Sequence, residues 1–200
     1  MLVLFMGPTA SGKSSLLTQC CKKIDVCEPV IRLTTRARRP GERDGKDYVF
    51  VSVKEFKQLK KGMVEFEEYS GDRFYGTRMK DLFPSTGKAK CLTITPSGLL
   101  NICMKNASCN ILVVYCECSL ATQVQRYSSR TGSFTVEDKM EMSDRLARDE
   151  GMFKGVETLF KAAEKLHQGN FGVLRLDTDQ FNLEECMDII KPNIENLLDA

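Results

Sequence analysis

Positions 7 to 14 read GPTASGKS and fit the spacing GxxxxGK[ST] without a mismatch. That spacing leaves few folds open. Glycines let backbone N–H groups turn inward into an anion nest, provided a strand delivers the chain and a helix N-terminus receives it. Both flanks are present: LVLFM at 2–6 reads as a strand, and Lys13 to Lys23 carries Leu16 and Leu17 on a helical pattern. Lysine at 13 can reach the β- and γ-phosphates of a nucleotide, and the hydroxyl of Ser14 can ligate Mg²⁺. The stretch Gly7, Pro8, Thr9, Ala10, Ser11, Gly12, Lys13, Ser14 and Ser15 is therefore the candidate site for a nucleoside triphosphate.

The rest of the chain keeps the alternation. Val30 to Leu33, Tyr48 to Val51, Cys91 to Thr95, Ile111 to Cys116 and Val173 to Leu176 read as strands. Val53 to Lys60, Ser97 to Lys105, Leu120 to Ser129 and about Asn182 to Leu198 read as helices, the last interrupted or kinked near Pro192. Ser52 with Glu55 and Asn182 with Glu185 have capping-box spacing. Such alternation predicts an α/β three-layer sandwich with a mostly parallel sheet, the P-loop NTPase architecture. Two segments break the rhythm. Residues 34–77 look antiparallel, polar and glycine-punctuated, as an inserted subdomain would; residues 130–150 are highly charged, as a mobile helical lid would be.

Charge narrows the partner. Arg32, Arg36, Arg38, Arg39 and Arg43 crowd into a dozen positions of a chain whose 29 basic and 27 acidic residues leave a net charge of only +2. A local cluster suits a small phosphate ester better than a nucleic-acid backbone, which needs basic residues spread along a face. The opening MLVLFM is too short for a secretory signal, and no stretch nears the roughly 20 apolar residues that span a bilayer. Nine cysteines lack metal-ligand spacing, with His167 the sole histidine, which predicts reduced, mostly buried thiols and a cytoplasmic protein.

The loop alone also resembles that of tRNA dimethylallyltransferases; the acceptor side decides between the two. Thr34-Thr35-Arg36-x-x-Arg39-Pro40-Gly41-Glu42, then Asp44-Gly45-Lys46-Asp47-Tyr48-x-Phe50-Val51, Glu65 and Tyr75-Gly76-Thr77 resemble the acceptor-binding subdomain of guanylate kinases. With the loop and the lid, the resemblance covers nearly the whole chain. It implies one domain with a core at 1–33 and 78–200, an acceptor-binding subdomain at about 34–77 and a lid at about 127–150. It implies ATP as donor, Mg²⁺ as cofactor and GMP or dGMP as acceptor, with no nucleic-acid or membrane partner and a monomer or homodimer. Arg36, Arg39, Tyr48 and Tyr75 would clamp the acceptor phosphate. Glu65 would accept from the N1–H and exocyclic amine of guanine, and Thr77 would meet the base edge. Lys13, Arg126, Arg130 and Arg145 would neutralise charge on the transferring group. Arg148 is a further candidate, while Arg38 and Arg43 read as solvated loop charges.

Two departures stand out against that pattern. Arg32 occupies a position where the family usually has a base-contacting serine, so a long cation would crowd the base or swing out. Thr93 and Thr95, in CLTITPSGLL, replace an Asp-x-Asp pair, removing negative charge that would support Mg²⁺ and the clamp. Three readings stay open: a GMP kinase, a kinase of the same fold with another acceptor such as a different nucleotide or ribose 1,5-bisphosphate, and a non-catalytic binding module of the same fold.

Overall fold

A strand that is apolar on both faces belongs in the middle of a covered sheet, and β1 (Leu2–Met6) is buried at all five residues. The computed structural model describes residues 1–39, 41–69, 72–83, 87–105, 108–129 and 135–198. Among these, β1 is the centre of a five-stranded sheet together with β2 (Cys27–Pro29), β7 (Ala89–Thr93), β8 (Ile111–Glu117) and β9 (Phe171–Asp177), in the order β2-β7-β1-β8-β9. Every pairing in it is parallel.

The two-residue period of β1 sorts its side chains to opposite faces. Val3 and Phe5 meet Leu16 and Cys20 of α1 (Lys13–Lys23) and Cys186, Met187, Ile190 and Ile194 of α7 (Leu183–Leu198). Leu2, Leu4 and Met6 meet Leu99, Ile102 and Cys103 of α3 (Pro96–Lys105) and Phe160 and Ala163 of α6 (Val156–Leu166). Helix, sheet and helix make three layers. All nine cysteines are free thiols, and burial pushes Cys103 up to about 11 and Cys116 up to about 12.

A second sheet holds β3 (Leu33–Thr34), β4 (Val49–Phe50), β5 (Met63–Tyr69) and β6 (Arg73–Arg78) in the order β4-β3-β6-β5. It is mixed: β3 runs parallel to β4 and antiparallel to β6, which pairs antiparallel with β5. Its own small core of Leu33, Phe56, Met63 and Phe74 includes a residue of α2 (Val53–Leu59), started by the Ser52–Glu55 capping box. The Asn182–Glu185 pair caps α7 in the same reciprocal way. The remaining helices are α4 (Leu120–Ser128) and α5 (Val136–Phe153), the latter opened by a Thr135–Asp138 box that the sequence reading did not name. No helix among the described residues is long and apolar enough to cross a membrane.

Three expectations need correction. The strand expected over Val30 to Leu33 divides: β2 ends at Pro29 and β3 begins at Leu33. Val30 N–H still bonds the Cys91 carbonyl of the first sheet, whereas the Arg32 carbonyl already accepts from Val49 of the second. Residues 30–32 are thus the crossing between sheets, which an apolar run cannot reveal. Secondly, α7 continues through Pro192 without interruption. Asp188 and Pro192 are both exposed, so the carbonyl that loses its N–H partner four residues on can be served by solvent. Finally, α6 fills a stretch where no element was expected, with Phe160 and Ala163 turned to the core.

Candidate active site

The loop after β1 is held in its nest shape by contacts far away in sequence. Gly7 has a φ of 149°, and a Cβ there would lie 2.1 Å from the Cys116 carbonyl oxygen on β8, so no side chain fits. Ala10 takes a left-handed φ of 62°, a conformation that costs an ordinary residue about 1 kcal/mol. Carbonyls of the loop are engaged in turn: Pro8 accepts from Lys13 Nζ at 2.7 Å, Ala10 from Arg126 Nη1 at 3.4 Å and Ser11 from Thr178 Oγ1 at 3.1 Å. Arg126 also donates to the Thr178 hydroxyl and carbonyl at 2.8 and 2.7 Å. Ser14 is exposed in the first turn of α1, where the helix offers N–H groups and its positive end. On the far side, the Thr9 N–H donates to the buried Asp149 carboxylate of α5 at 2.5 Å.

The arginine-rich stretch is organised by an acid. Glu42 takes Arg36 in a bidentate grip, Nη2 to Oε1 at 2.6 Å and Nη1 to Oε2 at 3.0 Å, and accepts the Arg39 N–H at 2.7 Å. Beside Arg36 and the Arg39 N–H, the Glu42 carboxyl is held below the usual range, while the Arg36 guanidinium is raised, chiefly by Glu42. The Arg36 guanidinium lies 5.5 Å from the Tyr48 ring centre, and Tyr48 meets Tyr75 edge-on at 5.8 Å. Threonine hydroxyls tie this segment to β6: Thr34 Oγ1 donates to the Phe74 carbonyl at 3.1 Å, and Thr35 Oγ1 accepts the Phe74 N–H at 2.8 Å.

Glu65 and Thr77 face each other across β5 and β6. The Glu65 side chain is 3% exposed and surrounded by donors. Thr95 gives both its N–H and its hydroxyl to Oε2, each at 3.0 Å. Thr77 Oγ1 approaches Oε1 at 3.5 Å, and Arg32 Nη2 stands 3.2 Å from the same oxygen. Burial pushes the Glu65 carboxyl up; Arg32 and the Thr95 bonds oppose it. Helix α3 can approach this closely because residue 98 is glycine: a Cβ there would sit 2.6 Å from Glu65 Oε2.

A cavity of about 1120 Å³ joins these parts. Gly7, Thr9, Ala10, Lys13 and Ser14 line one wall, Arg39, Tyr48 and Tyr75 another, and Arg145, Arg148 and Asp149 of α5 a third. Arg145 is braced by Glu141 at 2.6 Å, one turn back on the same helix.

The guanylate kinase family profile matches residues 1–162. The chain belongs to the guanylate kinase family. It is similar to the guanylate kinase of Streptococcus thermophilus, 44% identical over 80 residues that cover 38% of either chain. The guanylate kinase of Lactiplantibacillus plantarum is 37% identical over 107 residues, covering 51% of this chain and 52% of that one. With Thermotoga maritima guanylate kinase the identity is 33% over 119 residues, or 57% and 56% of the two chains. The chain thus spans about half, or less, of the length of these curated relatives. In fold it is similar to the crystal structure of guanylate kinase from Anaplasma phagocytophilum, with a TM-score of 0.56 at 21% identity, over 98% of this chain and 85% of that one.

Of the residues expected in a guanylate kinase site, half line one cavity. The cavity is lined by Gly7, Thr9, Ala10, Lys13 and Ser14, by Arg39, Tyr48 and Tyr75, and by Arg145; Pro8, Ser11, Gly12, Ser15, Arg36, Glu65, Thr77 and Arg126 do not line it. Arg126 instead braces the loop from outside, through Thr178 and Ala10. Arg130 lies outside the described residues. Arg32 does line the cavity, with its guanidinium turned onto Glu65. The sequence reading missed Glu42 as organiser, although the acid of its own RPGE motif was the signal. It also missed Asp149 and Thr178, which no local pattern marks.

Proposed function

We propose that this protein transfers the γ-phosphoryl group of ATP to a nucleoside monophosphate, GMP or dGMP, yielding ADP and the diphosphate. One observation carries the reading: a single cavity is lined both by the phosphate loop with Lys13 and by the Arg39, Tyr48 and Tyr75 cluster. An oxygen of the acceptor phosphate attacks the γ-phosphorus in line while the bond to the bridging oxygen breaks and ADP leaves, with no covalent enzyme intermediate. Lys13 and the N-terminus of α1 hold the β- and γ-phosphates. Arg39, with Arg36 oriented by Glu42, holds the acceptor phosphate, aided by the phenols of Tyr48 and Tyr75. Arg145 supplies positive charge near the transferring group, and Arg126 keeps the loop in shape.

The donor set suits Mg²⁺ bound through the nucleotide: the exposed Ser14 hydroxyl is one hard oxygen ligand, and no cluster of three acids or histidines that could hold a metal occurs among the described residues. When bound, Mg²⁺ neutralises phosphate charge. We read the chain as one domain with the core, acceptor-binding segment and lid bounds given above, acting in the cytoplasm as a monomer or homodimer.

The test is an ADP-release assay with ATP and Mg²⁺ against GMP, dGMP, AMP, CMP, UMP and ribose 1,5-bisphosphate. Preference for GMP or dGMP supports the reading. Turnover of another member supports a same-fold kinase with a changed acceptor, a reading favoured by the Arg32–Glu65 contact. Absence of ATP binding would point to the non-catalytic module.

A further inference from the structure

We propose that Arg32 is a specificity-determining residue that masks Glu65: its guanidinium stands between the acceptor cavity and the carboxylate, and guanine is read only once that group swings aside. The inference rests on the reading above, in which a purine nucleotide meets Glu65, and adds what this chain has done to that meeting.

Four observations carry it. Arg32 lines the cavity and Glu65 does not, so an arriving base meets a hydrogen-bond donor where an acceptor is needed. Both carboxylate oxygens are already engaged, Oε2 by two bonds from Thr95 and Oε1 by Arg32 with Thr77 at the edge of bonding range. A carboxylate has about four acceptor positions, and Thr95 and Thr77 take three, so two adjacent N–H groups of guanine cannot be added without displacing a resident, and the Arg32 guanidinium stands over the position left on Oε1. Thr95 is held at the start of α3, its hydroxyl accepting the Gly98 N–H at 3.2 Å while its backbone N–H donates to Oε2, which leaves Arg32 as the group that can move clear of Oε1.

The fourth observation explains why it can leave. Arg32 Nη2 is 3.2 Å from Oε1 but is not aligned to hydrogen-bond it, and Arg32 Nε and Nη2, both shut off from solvent, have no hydrogen-bond acceptor among the described residues. The contact is therefore charge to charge, held at the expense of two unmet N–H groups. Guanine would give Oε1 an aligned bond, and the released guanidinium would regain partners in water. Arg32 lies on the crossing between the two sheets, one residue before β3, with its carbonyl bonded to the Val49 N–H. Thr95 belongs to the same arrangement: an acid there would set a second negative charge beside Glu65, whereas threonine donates two bonds to it.

The test compares GMP with IMP, which keeps the N1–H and lacks the 2-amino donors. Binding of each is measured by calorimetry to the wild-type chain, Arg32→Ser and Arg32→Lys. A masked Glu65 makes the amine worth little, so the wild type should favour GMP by less than about threefold. Arg32→Ser should raise that preference to about tenfold or more by tightening GMP, and Arg32→Lys, which keeps the cation, should stay near the wild type. In turnover the change should fall on the KM for GMP and leave kcat within about twofold. A wild-type preference already above about tenfold would overturn the proposal, as would a serine variant whose ratio is unchanged or whose GMP binding is weaker. If the serine variant fails to fold, the wild-type ratio and the lysine variant still decide. Absence of ADP release with every acceptor would sink the proposed activity, while the binding ratio would still judge the mask.

Discussion

The phosphate loop and the Glu65 pocket handle charge in opposite ways. At the loop, the attraction is built into backbone N–H groups whose direction follows from φ angles, from Gly7 pressed on Cys116 and from the first turn of α1. The motif itself lies within eight consecutive residues, and Cys116, Arg126 and Thr178 hold its shape from a distance. At Glu65, a buried carboxyl is met by side chains from three segments, Arg32, Thr77 and Thr95, and the glycine at 98 lets α3 come near. The first arrangement is hard to alter piecemeal. The second can be retuned by one substitution, because each partner can change while the strands stay paired. Donor binding and acceptor choice should therefore respond to mutation independently.

That independence can be broken most sharply at Lys13. Lys13→Ala should cost about 10²–10³-fold in kcat, as loss of one preorganised charge at a reacting phosphoryl does, and should leave acceptor binding in a calorimetric titration unchanged. A matching loss of GMP affinity would merge the two regions. Arg39→Ala is the mirror experiment: the acceptor KM should rise about 10- to 100-fold through lost charge-assisted bonds, with ATP binding untouched. Gly98→Ala should lower stability by about 1–3 kcal/mol in thermal unfolding, since its Cβ would meet Glu65 Oε2 at 2.6 Å and Ile94 Cγ1 at 2.7 Å; ATP affinity of the folded fraction should not move.

The smallest effect is a pH slope. Burial raises the Glu65 carboxyl above its ordinary value of 4.5 against the opposing Arg32 and Thr95, with Thr77 and Glu67 also facing it. A raised acid contributes stability below that ordinary value and loses it as pH rises through the folded value. Arg32→Ser removes the opposing cation, so unfolding free energy should fall more steeply with pH above 4.5 than in the wild type, by at most about 1.4 kcal/mol per pH unit. Parallel slopes would mean that Arg32 does not oppose the rise caused by burial.

What could be read from the sequence follows the same division. The loop, β1, α1 and the Ser52 cap are local patterns, and each forms where its residues say. The arginine stretch was half legible: the motif announced a phosphate clamp, yet not that Glu42 would orient Arg36 and Arg39. Arg32 and Glu65 are 33 positions apart, and their meeting depends on where the chain leaves one sheet for the other, which apolar runs do not encode. The family resemblance implies Arg126 at the transferring group, but not that its guanidinium also bonds Thr178, 52 residues later. Long-range side-chain geometry was the missing information in each case.

The bond from Thr9 N–H to Asp149 has a consequence for how a nucleotide reaches the loop. A nest of N–H groups draws mobile anions from solution, and a ligand must push them back out. Here the helix over the loop brings its own counter-ion, fixed at one of those N–H groups. On the proposed function, nucleotide binding would then exchange a tethered anion for a diffusing one. A tethered anion is not diluted away, so chloride should compete less at this N–H than at the others of the loop.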